Sequence, residues 1–204
     1  MSNWNNLATN KSIQKTIKAL KANGINAIVC ESLKEARKET LKLIPQNKEV
    51  MTMSSVTLET MGVTSEINES QIYNSTKRKL SKMNKKTQAL EMKRIGAAPE
   101  VGIGSVHAIT QDGQVLIASN TGSQLPSYAY GSSRVIWIAG TQKIVKNLDE
   151  GIKRIYEYVL PLESIRVKKA YGMKKSNVSK LLIINKEINP GRIFLILVKE
   201  KIGF

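Results

Sequence analysis

The sequence predicts an α/β fold: three layers built on a mainly parallel sheet, with antiparallel hairpin additions. Three observations carry that expectation. Apolar runs of strand length alternate with segments of helical period, the grammar of a parallel sheet covered by helices. Apolar residues make up 41% of 204 residues, enough for a real core, and we expect one domain over 1–204. The last third instead holds two strand-like runs close together, "KLLIIN" and "RIFLILV".

Taken in order, "KSIQKTIKALKANG" places Ile13, Ile17 and Leu20 on one helical face and stops at Gly24. "INAIVC" follows as a strand. Ser32 and Glu35 have capping-box spacing and open a helix that closes at Pro45. "EVMTM" is a second strand, and "SSVTLETMGVTSEIN" a short helix entered through a serine-rich turn. Leu80, Met83, Thr87 and Leu90 recur at helical spacing, predicting an amphipathic helix with a basic outer face. "VGIGSVHAIT" and "VLIAS", joined by "QDGQ", predict a hairpin over 101–119. "SYAYGS" can form a short helix after Pro126, and "RVIWIAG" a buried strand. Asn147 caps a helix with Leu148, Ile152, Ile155, Tyr156 and Val159 inward, ending before Pro161. The two late strands meet around "PGR".

Composition excludes several function classes. One cysteine and one histidine cannot assemble an iron–sulfur cluster or a structural zinc site, so neither metal nor cofactor is expected. Cys30 reads as a buried small residue. No apolar run approaches the roughly eighteen residues of a membrane span. The N-terminal stretch lacks a signal-peptide layout, which points to the cytoplasm. The formal charge is +16, concentrated in 77–94 and 166–180. Such faces can bind nucleic acid, an acidic membrane or a small anion. Lysine dominates arginine and aromatics are only 5%, which disfavours nucleic acid. The lysines of 77–94 read as a solvated face.

Two glycine-rich strand ends are candidate ligand sites, "VGIGSVH" and "SNTGSQLPSY". Gly104, Ser105, Asn120, Gly122, Ser123 and Gln124 could present amides and hydroxyls to a carboxylate or phosphate. The same residue types also make ordinary turns. The first stretch is no dinucleotide fingerprint, because His107 occupies the third glycine position. His107 is either a satisfied core or rim group, or a pocket-mouth imidazole acting as catalytic acid or base. Arg166 could pair with Glu163, or line an anion site with Tyr171, Gly172 and Lys180. Arg192 reads as a turn residue before a strand.

"GSVHAITQDGQVLIASNTGSQLPSYAYG", "GTQKIV", "EYVLPLESIRVKKAYG", "KLLIINKE" and "PGRIFLILVKEKIGF" together resemble a short form of the LUD domain of lactate-utilisation proteins. The resemblance runs from about Lys11 to Phe204. It implies a fold similar to ribose-5-phosphate isomerase, glucosamine-6-phosphate deaminase and the CoA-transferases. It also implies an accessory or subunit role in oxidising L-lactate to pyruvate, beside iron–sulfur and flavin proteins and with no redox centre of its own. The alternative is a stand-alone enzyme for a phosphorylated or CoA-linked small molecule. A homo-oligomer stays open. The common LUD pattern has Thr-Gly after an acidic residue; here Gln111-Asp112-Gly113 fills that turn, so no catalytic carboxylate carries over.

Overall fold

A computed structural model describes residues 4–204; Met1–Asn3, part of the N-terminal stretch read above, lie outside the described residues. The elements in chain order are α1 (Asn10–Ala22), β1 (Asn26–Cys30), α2 (Leu33–Lys42), β2 (Glu49–Thr52), α3 (Val56–Thr60), α4 (Val63–Glu69) and β3 (Asn74–Ser75). Then come α5 (Thr76–Ser81), α6 (Ala89–Ala97), β4 (Val101–Gly104), β5 (Ala108–Thr110), β6 (Val115–Ser119) and β7 (Arg134–Gly140). The chain ends with β8 (Ile144–Val145), α7 (Leu148–Arg154), α8 (Leu160–Tyr171), β9 (Lys180–Ile184) and β10 (Ile193–Val198).

Six strands form a parallel sheet in the order β1-β10-β7-β4-β2-β3. Its central strands are apolar on both faces, as parallel strands covered on both sides must be. Along β7, Ile136 and Ile138 face Ala36, Leu58 and Ile67 of α2–α4. Val135, Trp137 and Ala139 face the other way, toward Leu20 of α1 and Ile109, Val115 and Ile117 of a second sheet. That sheet has the order β8-β5-β6-β9, with β6 antiparallel to both neighbours. Its far side, Ala108 and Leu116, packs on Ile155 and, in part, Ile152. The predicted α/β class with a mainly parallel sheet is present, and the antiparallel strands make a sheet of their own.

Several local expectations give way. The stretch 101–110 is two strands: β4 belongs to the parallel sheet, and only β5 pairs with β6 in the hairpin. Alternation shows that residues are extended but not which sheet they join. The late strands do not pair: β9 lies against β6, while β10 sits between β1 and β7. The uninterrupted apolar run of β10 is the mark of a central parallel strand. The expected 80–90 helix breaks between α5 and α6. There the Asn84 carboxamide accepts from the Lys86 and Thr87 amides, a local bond that competes with the helix. Leu90 is left 63% exposed. The single helix expected over 54–68 is two, parted at Gly62 with φ 68°.

Pro161 does not end the helix begun at Asn147. The turn Ile155–Val159 widens to a π turn and the helix continues as α8 to Tyr171. Proline lacks an amide donor, so it is tolerated where the bonding pattern already shifts. The wider turn also re-aims side chains, leaving Tyr156 half exposed instead of inward. Arg192 is no plain turn residue. It is buried, pairs with Glu187 at 2.6 Å, and donates to the carbonyls of Ser127, Tyr128 and Ser132. The capping predictions at Ser32 and Asn147 hold: each side chain accepts from the amide three residues on.

The parallel strands β4 and β7 both end in glycine. A Cβ on Gly104 would stand 1.8 Å from the Tyr128 hydroxyl, and one on Gly140 would stand 2.0 Å from Gln142 Oε1 and 2.6 Å from the Glu200 carbonyl. Gly104→Ala is therefore expected to lower unfolding stability by about 1–3 kcal/mol in urea titrations, the usual cost of overpacking. A change below about 0.5 kcal/mol, the scale of an inert surface substitution, would contradict the close approach.

Candidate functional site

Beyond Gly104 the chain leaves the parallel sheet, crosses Ser105–His107, and enters the small sheet at Ala108. Beyond Gly140 it does the same through Thr141–Lys143, entering at Ile144. Because β4 neighbours β7, and β5 neighbours β8, the two crossings run side by side. They bring Ser105 and Lys143 into contact: Lys143 Nζ donates to Ser105 Oγ at 2.9 Å and to the Val106 carbonyl at 3.1 Å. Thr57 of α3 completes the cluster. Its hydroxyl lies 3.2 Å from Ser105 Oγ and 3.5 Å from Lys143 Nζ.

The crossings form the wall of a cleft of about 460 Å³. It opens at the carboxyl ends of β2, β4 and β7, where parallel sheets place their ligands. Met53 to Thr57 supply another wall. The turn 119–124 and the α8 segment with Glu163, Arg166 and Tyr171 supply the rest, and Lys77 of α5 lines it too.

Lys143 is 2% exposed and its Nζ is surrounded by oxygens that carry no formal charge. Burial, and the nearby Arg154 charge, push its pKa down to about 7. Arg154 is fully buried. It donates to the His107 carbonyl, and its guanidinium lies 5.2 Å from the centre of the Tyr158 ring. Its Nε and Nη2 have no hydrogen-bond partner among the described residues. Desolvation lowers its pKa to about 10. Among the described residues neither cation forms an ion pair.

His107 sits on the cleft wall above these two cations. Its Nδ1 accepts from the Ala118 amide at 3.0 Å, which places the ring proton on Nε2. Burial, then Lys143, then Arg154 hold its pKa down to about 3. The ring is thus a neutral hydrogen-bond donor near pH 7. Of the two readings the sequence offers for His107, this geometry favours the satisfied core or rim group.

Six of the residues predicted from sequence meet in the cleft: Ser105, His107, Asn120, Ser123, Gln124 and Arg166. Three do not line it. Gly104 makes room for Tyr128. Gly122, at φ 86°, packs against the Lys180 methylenes, and Lys180 is an exposed strand residue in register with Ser119. The shared Arg166–Lys180 anion site is therefore not formed. Arg166 instead pairs with Glu163 through Nε and Nη2, each at 2.7 Å, and sits 5.6 Å from the Tyr171 ring centre. The bond to Glu163, first among the causes, raises its pKa. Ser119 Oγ accepts from the Gly122 amide and donates to Gln124 Oε1, so part of the 119–124 turn holds itself together. Asp112 lies at the hairpin turn, 3.4 Å from Lys15 of α1.

Lys143, Arg154, Thr57 and Lys77 were not anticipated. A signal for the first was present: "GTQKIV" sets a lysine in a tight connection between two apolar runs. Arg154 interrupts the inward face that Gly151 and Ile155 define.

The LUD domain family model matches residues 13–200. The chain belongs to the LUD domain family. No curated protein matches its sequence. A DUF162 family protein from Deinococcus radiodurans shares the fold, with TM-score 0.58 over 95% of this chain and 99% of that one, at 9% identity. Two ribose 5-phosphate isomerases are more distant. The enzyme from Neisseria gonorrhoeae has TM-score 0.34 at 16% identity, over 57% of this chain and 56% of its own. That from Plasmodium falciparum has 0.35 at 14%, over 80% and 81%. In this LUD domain no described helix is long and apolar enough to cross a membrane.

The single histidine makes the site's electrostatics directly measurable. The His107 Cε1 proton resonance should stay constant from pH 8 to pH 5. For stability the sign is positive: below pH 6.5 the unfolded chain binds the proton and the folded one does not. This contribution of His107 is therefore full above 6.5 and is lost as pH drops toward 3. A resonance titrating near 6.5 would contradict the partly buried, neutral ring.

Proposed function

We propose that this LUD protein binds a small organic anion, a carboxylate or phosphate ester, in the cleft, and serves lactate or related organic-acid utilisation from the cytoplasm. The carrying observation is the sign of the lining. Lys77, Lys143 and Arg166 are its cationic side chains, Glu163 its one anionic side chain, and Glu163 is already held by Arg166. A desolvated positive site favours an anion more strongly than an exposed lysine does. Thr57, Ser105, Ser123 and the His107 N–H add neutral donors that orient it. The ion pair with Glu163 engages Nε and Nη2 of Arg166. Lys77, whose pKa burial lowers, also gains from a negative partner.

The oxidation of a 2-hydroxy acid needs an electron acceptor. With one cysteine and one histidine this chain has no ligand set for an iron–sulfur cluster. The redox step would fall to partner proteins carrying iron–sulfur clusters or flavin, with this chain holding the organic acid or its derivative as one domain over 1–204. The alternative, a stand-alone enzyme for a phosphorylated or CoA-linked compound, uses the same cations and differs in which anion binds best.

Thermal unfolding at constant ionic strength separates these. L-lactate, pyruvate or inorganic phosphate at about 100 times its Kd should raise Tm by roughly 5–10 °C. The Lys77→Met/Arg166→Gln variant should lose that rise while remaining folded. An equal rise with chloride, or an unchanged rise in the double variant, would overturn the proposal. With the ligands compared at one equal concentration, the largest rise with phosphate would favour the stand-alone reading.

A further inference from the structure

We propose that Ser105 and Lys143 form a serine–lysine dyad that takes the acyl group of an ester or thioester of a small organic acid onto Ser105 Oγ and passes it to water. The proposal rests on the same cleft as the anion site but not on which anion binds there.

Four observations converge on the pair. Ser105 lies just past the carboxyl end of β4, partly buried and lining the cleft, as a nucleophile must. Lys143 Nζ is 2.9 Å from its Oγ, within reach of direct proton transfer. Nζ is oriented by the Val106 carbonyl and, more weakly, by the Thr57 hydroxyl, so the amine is fixed and cannot swing away. Nothing negative lies against it to hold the proton, and the burial that lowers its pKa to about 7 leaves much of it a free base at neutral pH. A lysine doing only structural work in a core would normally carry a carboxylate partner.

The step balances within the protein. Neutral Lys143 removes the Ser105 hydroxyl proton as Oγ bonds to the acyl carbon. The bond from that carbon to the leaving oxygen or sulfur then breaks, and the leaving group takes the proton from Lys143. Water adds to the acyl-serine, giving its proton to Lys143. The carboxylic acid departs, and the proton returns to Ser105 Oγ. No oxidant or reductant enters. Arg166 and Lys77 would hold a negative group elsewhere on the acyl portion, selecting esters of dianionic or hydroxylated acids over plain fatty esters.

Intact-protein mass spectrometry with p-nitrophenyl acetate and with a fluorophosphonate tests this. The wild-type chain should gain one acyl or phosphonyl group, located at Ser105 by peptide mapping. The rate should rise with pH through about 7 as Lys143 loses its proton. Ser105→Ala should gain nothing at that peptide, and Lys143→Arg, which keeps the charge but cannot serve as the base, should react about 100-fold or more slowly. Circular dichroism and a cooperative thermal unfolding transition close to that of the wild-type chain establish that the variants are folded. Labelling that persists at other residues in Ser105→Ala at the wild-type rate would overturn the dyad, as would a wild-type chain that takes up neither reagent. Loss of the dyad with the Tm shift intact leaves anion binding standing; labelling without any Tm shift does the reverse.

Discussion

The site depends on one topological constraint: two adjacent parallel strands hand the chain to a second sheet at the same level. β4 and β7 pair in the large sheet; β5 and β8, which follow them, pair in the small one. The three-residue crossings between them must therefore run beside each other. Both strands end at a glycine where backbone or side-chain atoms leave no space for a Cβ. The small sheet docks on Trp137 and its neighbours while the crossings face the cleft. Ser105, His107 and Lys143 are the residues that such crossings expose.

Electrostatics follow from this placement. A lysine and an arginine are carried under a small sheet, among apolar side chains, with no carboxylate beside them. Folding must desolvate both, an expense that burying a neutral side chain would avoid. Lys143 lowers the cost with three oxygen contacts and a depressed pKa. Arg154 does so with one carbonyl and an aromatic face. Desolvation first, and then the field of these two cations, keeps His107 neutral. The cleft lining is left with more basic than acidic side chains, which is the basis on which an anion is proposed there.

Much of this was legible in the sequence, unevenly. Helix starts at Ser32 and Asn147 were readable because capping is a local bond. The parallel core was readable in part, because "RVIWIAG" is apolar on both faces; "RIFLILV" reads as half of a late hairpin, although it is a central parallel strand. Sheet membership was not: 101–110 looks like one strand, and only the three-dimensional path parts it at Gly104. Loop residues Ser105, His107, Asn120, Ser123 and Gln124 could be nominated by type and do share a cleft. Lys180 could not be assigned from charge alone, since its strand register turns it away. Lys143 was overlooked because a lysine in a basic sequence is one of many. What sets it apart is burial, which depends on the second sheet.

The most direct measurement is the titration of Lys143 itself, by NMR of the chain with its lysines labelled at 13Cε. One lysine resonance should titrate near pH 7, well below the ordinary lysine value of about 10.4, and vanish in Lys143→Arg. If every lysine titrates near 10.4, Lys143 is not the desolvated, carboxylate-free amine on which the site is built.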